Sequence, residues 1–73
     1  MKLRSVFATN LRHYRSVSGL SQEDLADAAG VDRTYVSALE RCRYAVTIDV
    51  LERIAEALQI AASDLLRADK PTK

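Results

Sequence analysis

An all-α fold of five helices is predicted for this chain of 73 residues. Three observations carry the prediction. Apolar residues recur at helical spacing through residues 3–17, 25–39 and 50–58. Cap residues stand at Ser21, Asp32 and Thr47, and glycines stand at 19 and 30, where helices would end. No segment shows the strict alternation of a half-buried strand.

Each element follows in order. Leu3, Phe7, Leu11 and Tyr14 repeat along a first helix, with Val6 and Val17 beside them, and Gly19 is its C-cap. Ser21 and Asp24 form a capping box that starts a second helix at about 22–29. Leu25 and Ala29 share its inward face, and Ala26 is small where another helix must cross. Gly30 supplies the permissive backbone of a sharp turn. Asp32 caps a third helix, about 33–41, which Val36 and Leu39 hold to the core. Residues 42–46 form a loop. Thr47 caps a fourth helix, Asp49 favours its dipole, and Val50, Leu51, Ile54 and Leu58 are its apolar face. A short fifth helix, about 62–67, contributes Leu65 and Leu66. Its start either frays at Ala61 or is capped by Ser63 over a shorter turn. Residues 1–68 make one domain, and 69–73, with Pro71, read as a flexible tail.

So short a chain buries a limited core and needs a staple or a partner. One cysteine excludes an internal disulfide, and no His/Cys cluster could hold zinc. Dimerisation is the natural remaining source of stability. Its expected interface is Leu65 and Leu66 with the loop before the fourth helix. No apolar run approaches a membrane span, so the chain reads as cytoplasmic. The net charge of +1 argues little for nucleic acid. Its distribution alternates, however. Lys2, Arg4, Arg12 and Arg15 stand without an acid in the first twenty residues. Glu23, Asp24, Asp27 and Asp32 follow, then Arg33, Arg41 and Arg43 against Glu40, then an acidic stretch over 47–60. This permits one basic and one acidic face, or a mixed surface with no field.

The outer face of the third helix carries Arg33, Thr34, Ser37, Ala38 and Arg41 and no large apolar group. Such a face suits the major groove of DNA, where short side chains near a helix start read base edges. Arg33 is expected to pair with guanine, and Thr34 to bond a base edge or pack on a thymine methyl. The bland alternative is a solvated arginine and a threonine that supports the cap. Ser37 and Ala38 either allow close approach to bases or merely fill surface. Gln22, at a helix N-terminus, is expected to contact a phosphate, as are Arg41 and Arg43. Tyr44 contacts either a phosphate or a dimer partner. Tyr35 either neighbours the reading face or lies against helix two. His13 stands alone and reads as surface. The lone His, the lone Cys and the lack of a glycine-rich phosphate loop argue against an enzyme. No metal, cofactor or small-molecule ligand is implied.

Residues 21–41, SQEDLADAAGVDRTYVSALER, resemble the helix-turn-helix of the lambdoid phage repressors and Cro proteins, the Xre-type family. Gln22, Ala26, Gly30, Val31, Val36, Leu39 and Glu40 carry the likeness. Leu11, Arg12 and Arg15 ahead of Gly19-Leu20-Ser21-Gln22 are similar to the family's first helix and its exit, and Thr47 to Leu66 to its last two helices. GVDRTYVSALER is also similar to the controller proteins of restriction–modification systems. The resemblance implies a transcriptional regulator that binds a palindromic operator as a homodimer, its half-sites about one helical turn apart. It implies an ion pair between Arg15 and Glu40. It also shows Cys42 in place of the family's usual glycine, either tolerated or a redox thiol between Arg41 and Arg43. A different class of function keeps the fold as a protein-interaction module, antitoxin-like or an adaptor. Arg33 and the wholly basic first twenty residues speak against it.

Overall fold

The structure is a computed structural model that describes residues 2–68. Four α-helices are followed by one 3-10 helix: α1 (Leu3–Ser18), α2 (Gln22–Ala29), α3 (Arg33–Glu40), α4 (Ile48–Leu58) and the 3-10 helix Ala62–Leu66. The expected tail at 69–73 lies outside the described residues. The starts follow the sequence chemistry. Ser21 and Asp24 form the full capping box of α2. Asp32 accepts the Thr34 amide at the start of α3, and Thr47 accepts the Val50 amide at the start of α4. Each bond satisfies an amide that has no carbonyl one turn behind it.

All four α-helices end in one way. The first or, after α3, the second residue past the helix adopts a left-handed conformation, and the next amide reaches back five residues. These amides are Leu20 to Arg15, Val31 to Ala26, Arg43 to Ala38 and Ile60 to Ala55, at 2.9–3.3 Å. Gly19 and Gly30 take the left-handed position of the first two exits, but Cys42 (φ 61°) and Gln59 (φ 59°) take it in the others. The motif ordinarily sets an apolar residue after that position. Leu20, Val31 and Ile60 obey and pack on the core. The α3 exit breaks the rule twice, with Cys42 for glycine and the exposed Arg43 for the apolar residue.

Phe7 and Leu11 of α1, Leu25 of α2, Val36 and Leu39 of α3, Ile54 of α4 and Leu65 form the centre of the core. α2 packs on α3 and α4, and α1 closes the other side against α3, α4 and the 3-10 helix. Ala26, expected where another helix crosses closely, is buried, as is Ala29 on the inward face. Gly30 makes the turn between α2 and α3 at φ 72°.

Several expectations are corrected. The fifth element is a 3-10 helix of five residues, not an α-helix. Ser63 does not cap it; the Asp64 carboxylate reaches back to accept the Ala61 amide at 3.2 Å. α3 stops at Glu40, one residue short of the prediction. Leu3 and Val17, near the two ends of α1, are 57% and 64% exposed. His13 is not plain surface. It is half-buried, its ring meets Tyr14 edge-on at 5.1 Å, and Nε2 has no hydrogen-bond partner among the described residues. Leu65 is fully buried within the chain, so it offers nothing to a dimer partner; Leu66 remains half-buried. Asn10, passed over in the sequence, is 2% exposed and donates from Nδ2 to the carbonyls of Leu65 (2.9 Å) and Arg67 (3.0 Å). It ties α1 to the end of the 3-10 helix.

Candidate nucleic-acid interface

The site is built around one buried carboxylate. Glu40, the last residue of α3, is 3% exposed. Arg15 donates from Nε to its Oε2 at 2.5 Å and from Nη2 to its Oε1 at 3.1 Å. Gln22 Nε2 donates to the same Oε1 at 3.0 Å. Arg12 Nη1 donates to the Glu40 main-chain carbonyl. Arg15 also donates from Nη1 to the Leu20 carbonyl at 2.9 Å, closing the exit of α1. Hydrogen bonding to Glu40 holds the Arg15 guanidinium above its ordinary pKa, against a smaller opposing effect of burial. A bidentate pair with its remaining lone pairs satisfied is the geometry in which a buried charge is tolerated. Arg12 and Arg15 of α1 and Gln22 of α2 thus converge on the C-terminus of α3.

The other end of α3 is open. Asp32, Arg33 and Thr34 are all exposed. Ser37, one turn on, is half-buried. Ala38 is 5% exposed, so it is not on the open outer face where the sequence placed it. It lies at the edge of an open cleft of about 620 Å³ that Thr34, Tyr35, Arg41, Arg43 and Tyr44 also line. Its smallness contributes depth to that cleft, not reach. The Tyr35 hydroxyl donates to the Ala45 carbonyl at 3.4 Å, so its ring is tied to the loop after α3. Tyr44 is 60% exposed, and Arg41 and Arg43 are exposed beside it. Lys2, Arg4, Ser5 and Cys42 line an adjoining cleft, which brings basic residues from the start of the chain to the α3 exit. The free Cys42 thiol lies 3.6 Å from the Ser5 hydroxyl.

Gln22 is placed differently from its expected phosphate role. Its carboxamide points inward to Glu40, leaving the first backbone amides of α2 as the groups that face outward there. Arg12 and Gln22 were missed as anchors of Glu40. Their signal was weak, since a helix-borne Arg or Gln is usually solvated. No helix among the described residues is long and apolar enough to cross a membrane. No cluster of His, Cys, Asp or Glu among them could hold a metal ion.

A short helix, a tight turn and a second helix that is anchored at its end and open at its start make a helix-turn-helix. The helix-turn-helix domain family matches residues 6–68, and the chain belongs to that family. It is similar to a hypothetical transcription factor of Neisseria meningitidis, 50% identical over 64 residues. That match covers 88% of this chain and 60% of the relative, so the chain spans less than two thirds of that protein. It is 39% identical to the control protein C.SmaI of Serratia marcescens over 66 residues, 90% of this chain and 79% of that one. Among solved structures it is similar to the restriction–modification controller protein C.AhdI of Aeromonas hydrophila. There the TM-score is 0.83 at 39% identity, over 85% of this chain and 94% of that one.

Proposed function

We propose that the chain is a sequence-specific transcriptional regulator that places α3 in the major groove of a palindromic operator and acts as a homodimer. One observation carries this reading. α3 is fixed at Glu40 by α1 and α2, while its first turn, Arg33 and Thr34, stands exposed beside a cleft walled by Arg41, Arg43 and Tyr44. A helix held by one end and open at the other can be pushed into a groove without losing its packing. In this reading Arg33, Thr34 and Ser37 face bases, and Arg41, Arg43, Tyr44 and the first amides of α2 face phosphates. The names of the relatives, a hypothetical transcription factor, a control protein and a restriction–modification controller protein, support it. A restriction endonuclease gene beside this one would place the chain in the controller branch.

The dimer contact moves from Leu65 to the groove beside it. Leu3, Phe7, Val46, Ile48, Leu51 and Leu66 line an apolar groove of about 300 Å³, and Ile48 is 76% exposed. The groove joins α1, the loop before α4, the start of α4 and Leu66, and it is the patch a second copy would cover. With DNA as its partner, the protein acts in the cytoplasm, by binding and not by catalysis.

The test is a titration of operator duplex, obtained by selection from random sequence, against a scrambled duplex at two salt concentrations. Tight operator binding that weakens steeply with salt supports the reading. Weak binding, equal for both duplexes, would instead favour an interaction module. Sedimentation supplies the dimer test: a strict monomer at high micromolar concentration, with and without DNA, rules the homodimer out.

A further inference from the structure

Asp32 Oδ1 accepts two hydrogen bonds from Thr34, one from the amide N–H at 2.8 Å and one from the hydroxyl at 2.7 Å. A threonine hydroxyl has one proton and two acceptor lone pairs. With its proton held by Asp32, the Thr34 oxygen can only accept, and it stands beside its own methyl group. Both residues are exposed at the open start of α3. The adjacent Arg33 is the chemical opposite, since a guanidinium carries five N–H donors and no acceptor. In the major groove guanine presents two acceptors, N7 and O6, and no donor. Adenine N6 and cytosine N4 present N–H donors, and thymine presents a methyl group.

We propose that Asp32 is a positioning residue for sequence choice: by holding the Thr34 hydroxyl proton, it makes Thr34 a reader of exocyclic amino groups or thymine methyls that rejects guanine. Guanine is left to Arg33. This rests on the reading in which α3 enters the major groove. The bonds from Thr34, and the smaller effect of the Arg33 charge, hold the Asp32 carboxyl below the usual aspartate range. The acceptor is therefore ionised at neutral pH. Asp32 thus does two things with one oxygen, capping α3 and fixing the direction of one hydrogen bond on its reading face.

The experiment is selection of operator half-sites from a randomised duplex, followed by titration, for the wild type, T34A, D32G and D32N. T34A identifies the base position that Thr34 reads, because its preference collapses there. At that position the wild type should disfavour guanine by about tenfold, roughly one unmade hydrogen bond. D32G keeps α3, since glycine is an accepted N-cap residue, but it frees the hydroxyl to donate. Guanine should then rise to within about threefold of the preferred base, a partial recovery of that bond. D32N keeps an oxygen for both bonds and should select as the wild type does. The guanine read by Arg33 should stay in all four selections. A wild-type preference for guanine at the Thr34 position, an unchanged selection by D32G, or no change with T34A would each overturn the proposal. If the wild type selects no sequence at all, the operator reading itself fails and takes the proposal with it. Circular dichroism of D32G and D32N separates lost recognition from lost folding.

Discussion

The two ends of α3 are opposites. From Val36 onward the helix holds Val36 and Leu39, both at 0% exposure, and Glu40, which side chains from α1 and α2 grip. The first turn holds Arg33 and Thr34, both exposed, with only the Asp32 cap against them. Eight residues are too few for a helix to stand alone in water. Tertiary contact must therefore fix α3, and here it does so from the C-terminal end. The division teaches that stability and recognition rest on different residues of one short helix. Mutations should then separate them.

The largest expected effect is at the anchored end. Glu40→Ala leaves Arg15 facing a void where it had a bidentate partner, and should cost about 2–4 kcal/mol in denaturant melts, somewhat less than a fully enclosed pair because Arg15 keeps some solvent contact. Glu40→Gln retains an acceptor for Gln22 or Arg15 and should cost less. An Ala variant that melts like the wild type would break the comparison. Asn10→Ala is a control away from α3. It strips two carbonyls of their donor and should cost about 1–3 kcal/mol, while the operator affinity of the folded fraction is unchanged. Cys42→Gly relieves a left-handed side chain at the α3 exit but gives up the contact with Ser5. The result should be neutral or stabilising by up to about 1 kcal/mol. A clear drop in melting temperature would mean that the thiol contact outweighs the strain.

The smallest effect belongs to the open end. The Thr34 bonds lower the pKa of Asp32 in the folded state, so its contribution is fully present above the unfolded aspartate's range, about pH 4, and is lost as pH falls through the folded value. The carboxamide of the D32N variant does not titrate. The small melting-temperature advantage of the wild type over D32N should therefore shrink in acid. An advantage that grew in acid would contradict the sign.

What the sequence made legible was local. The capping box at Ser21, the turn at Gly30, the caps at Asp32 and Thr47 and the left-handed place of Cys42 all depend on a few adjacent residues. What it hid depends on how helices are rotated against one another. Leu65 and Leu66 are equivalent by composition, yet one is sealed inside and the other lines a groove. Ala38 is expected on the open outer face of α3, yet it is 5% exposed and sits in the lining of a cleft. Asn10 left a signal that was overlooked. It falls three residues after Phe7, within the apolar stripe of α1, where a polar residue needs a buried partner. The Arg15–Glu40 pair was reached through family likeness. Its other partners, Arg12 and Gln22, emerge only when three helices are assembled.

The central claim is that Arg33, at the open end of α3, carries base choice without carrying stability. The most direct measurement titrates Arg33→Ala and Arg43→Ala against operator and scrambled duplexes at two salt concentrations. Arg33→Ala should melt like the wild type, lose about 1–3 kcal/mol per half-site on the operator and little on scrambled DNA. Arg43→Ala should weaken both duplexes alike and flatten the salt slope, as loss of a phosphate contact does. If Arg33→Ala weakens operator and scrambled DNA equally, Arg33 touches only the backbone, and the account of α3 as a helix anchored at one end and reading from the other is contradicted.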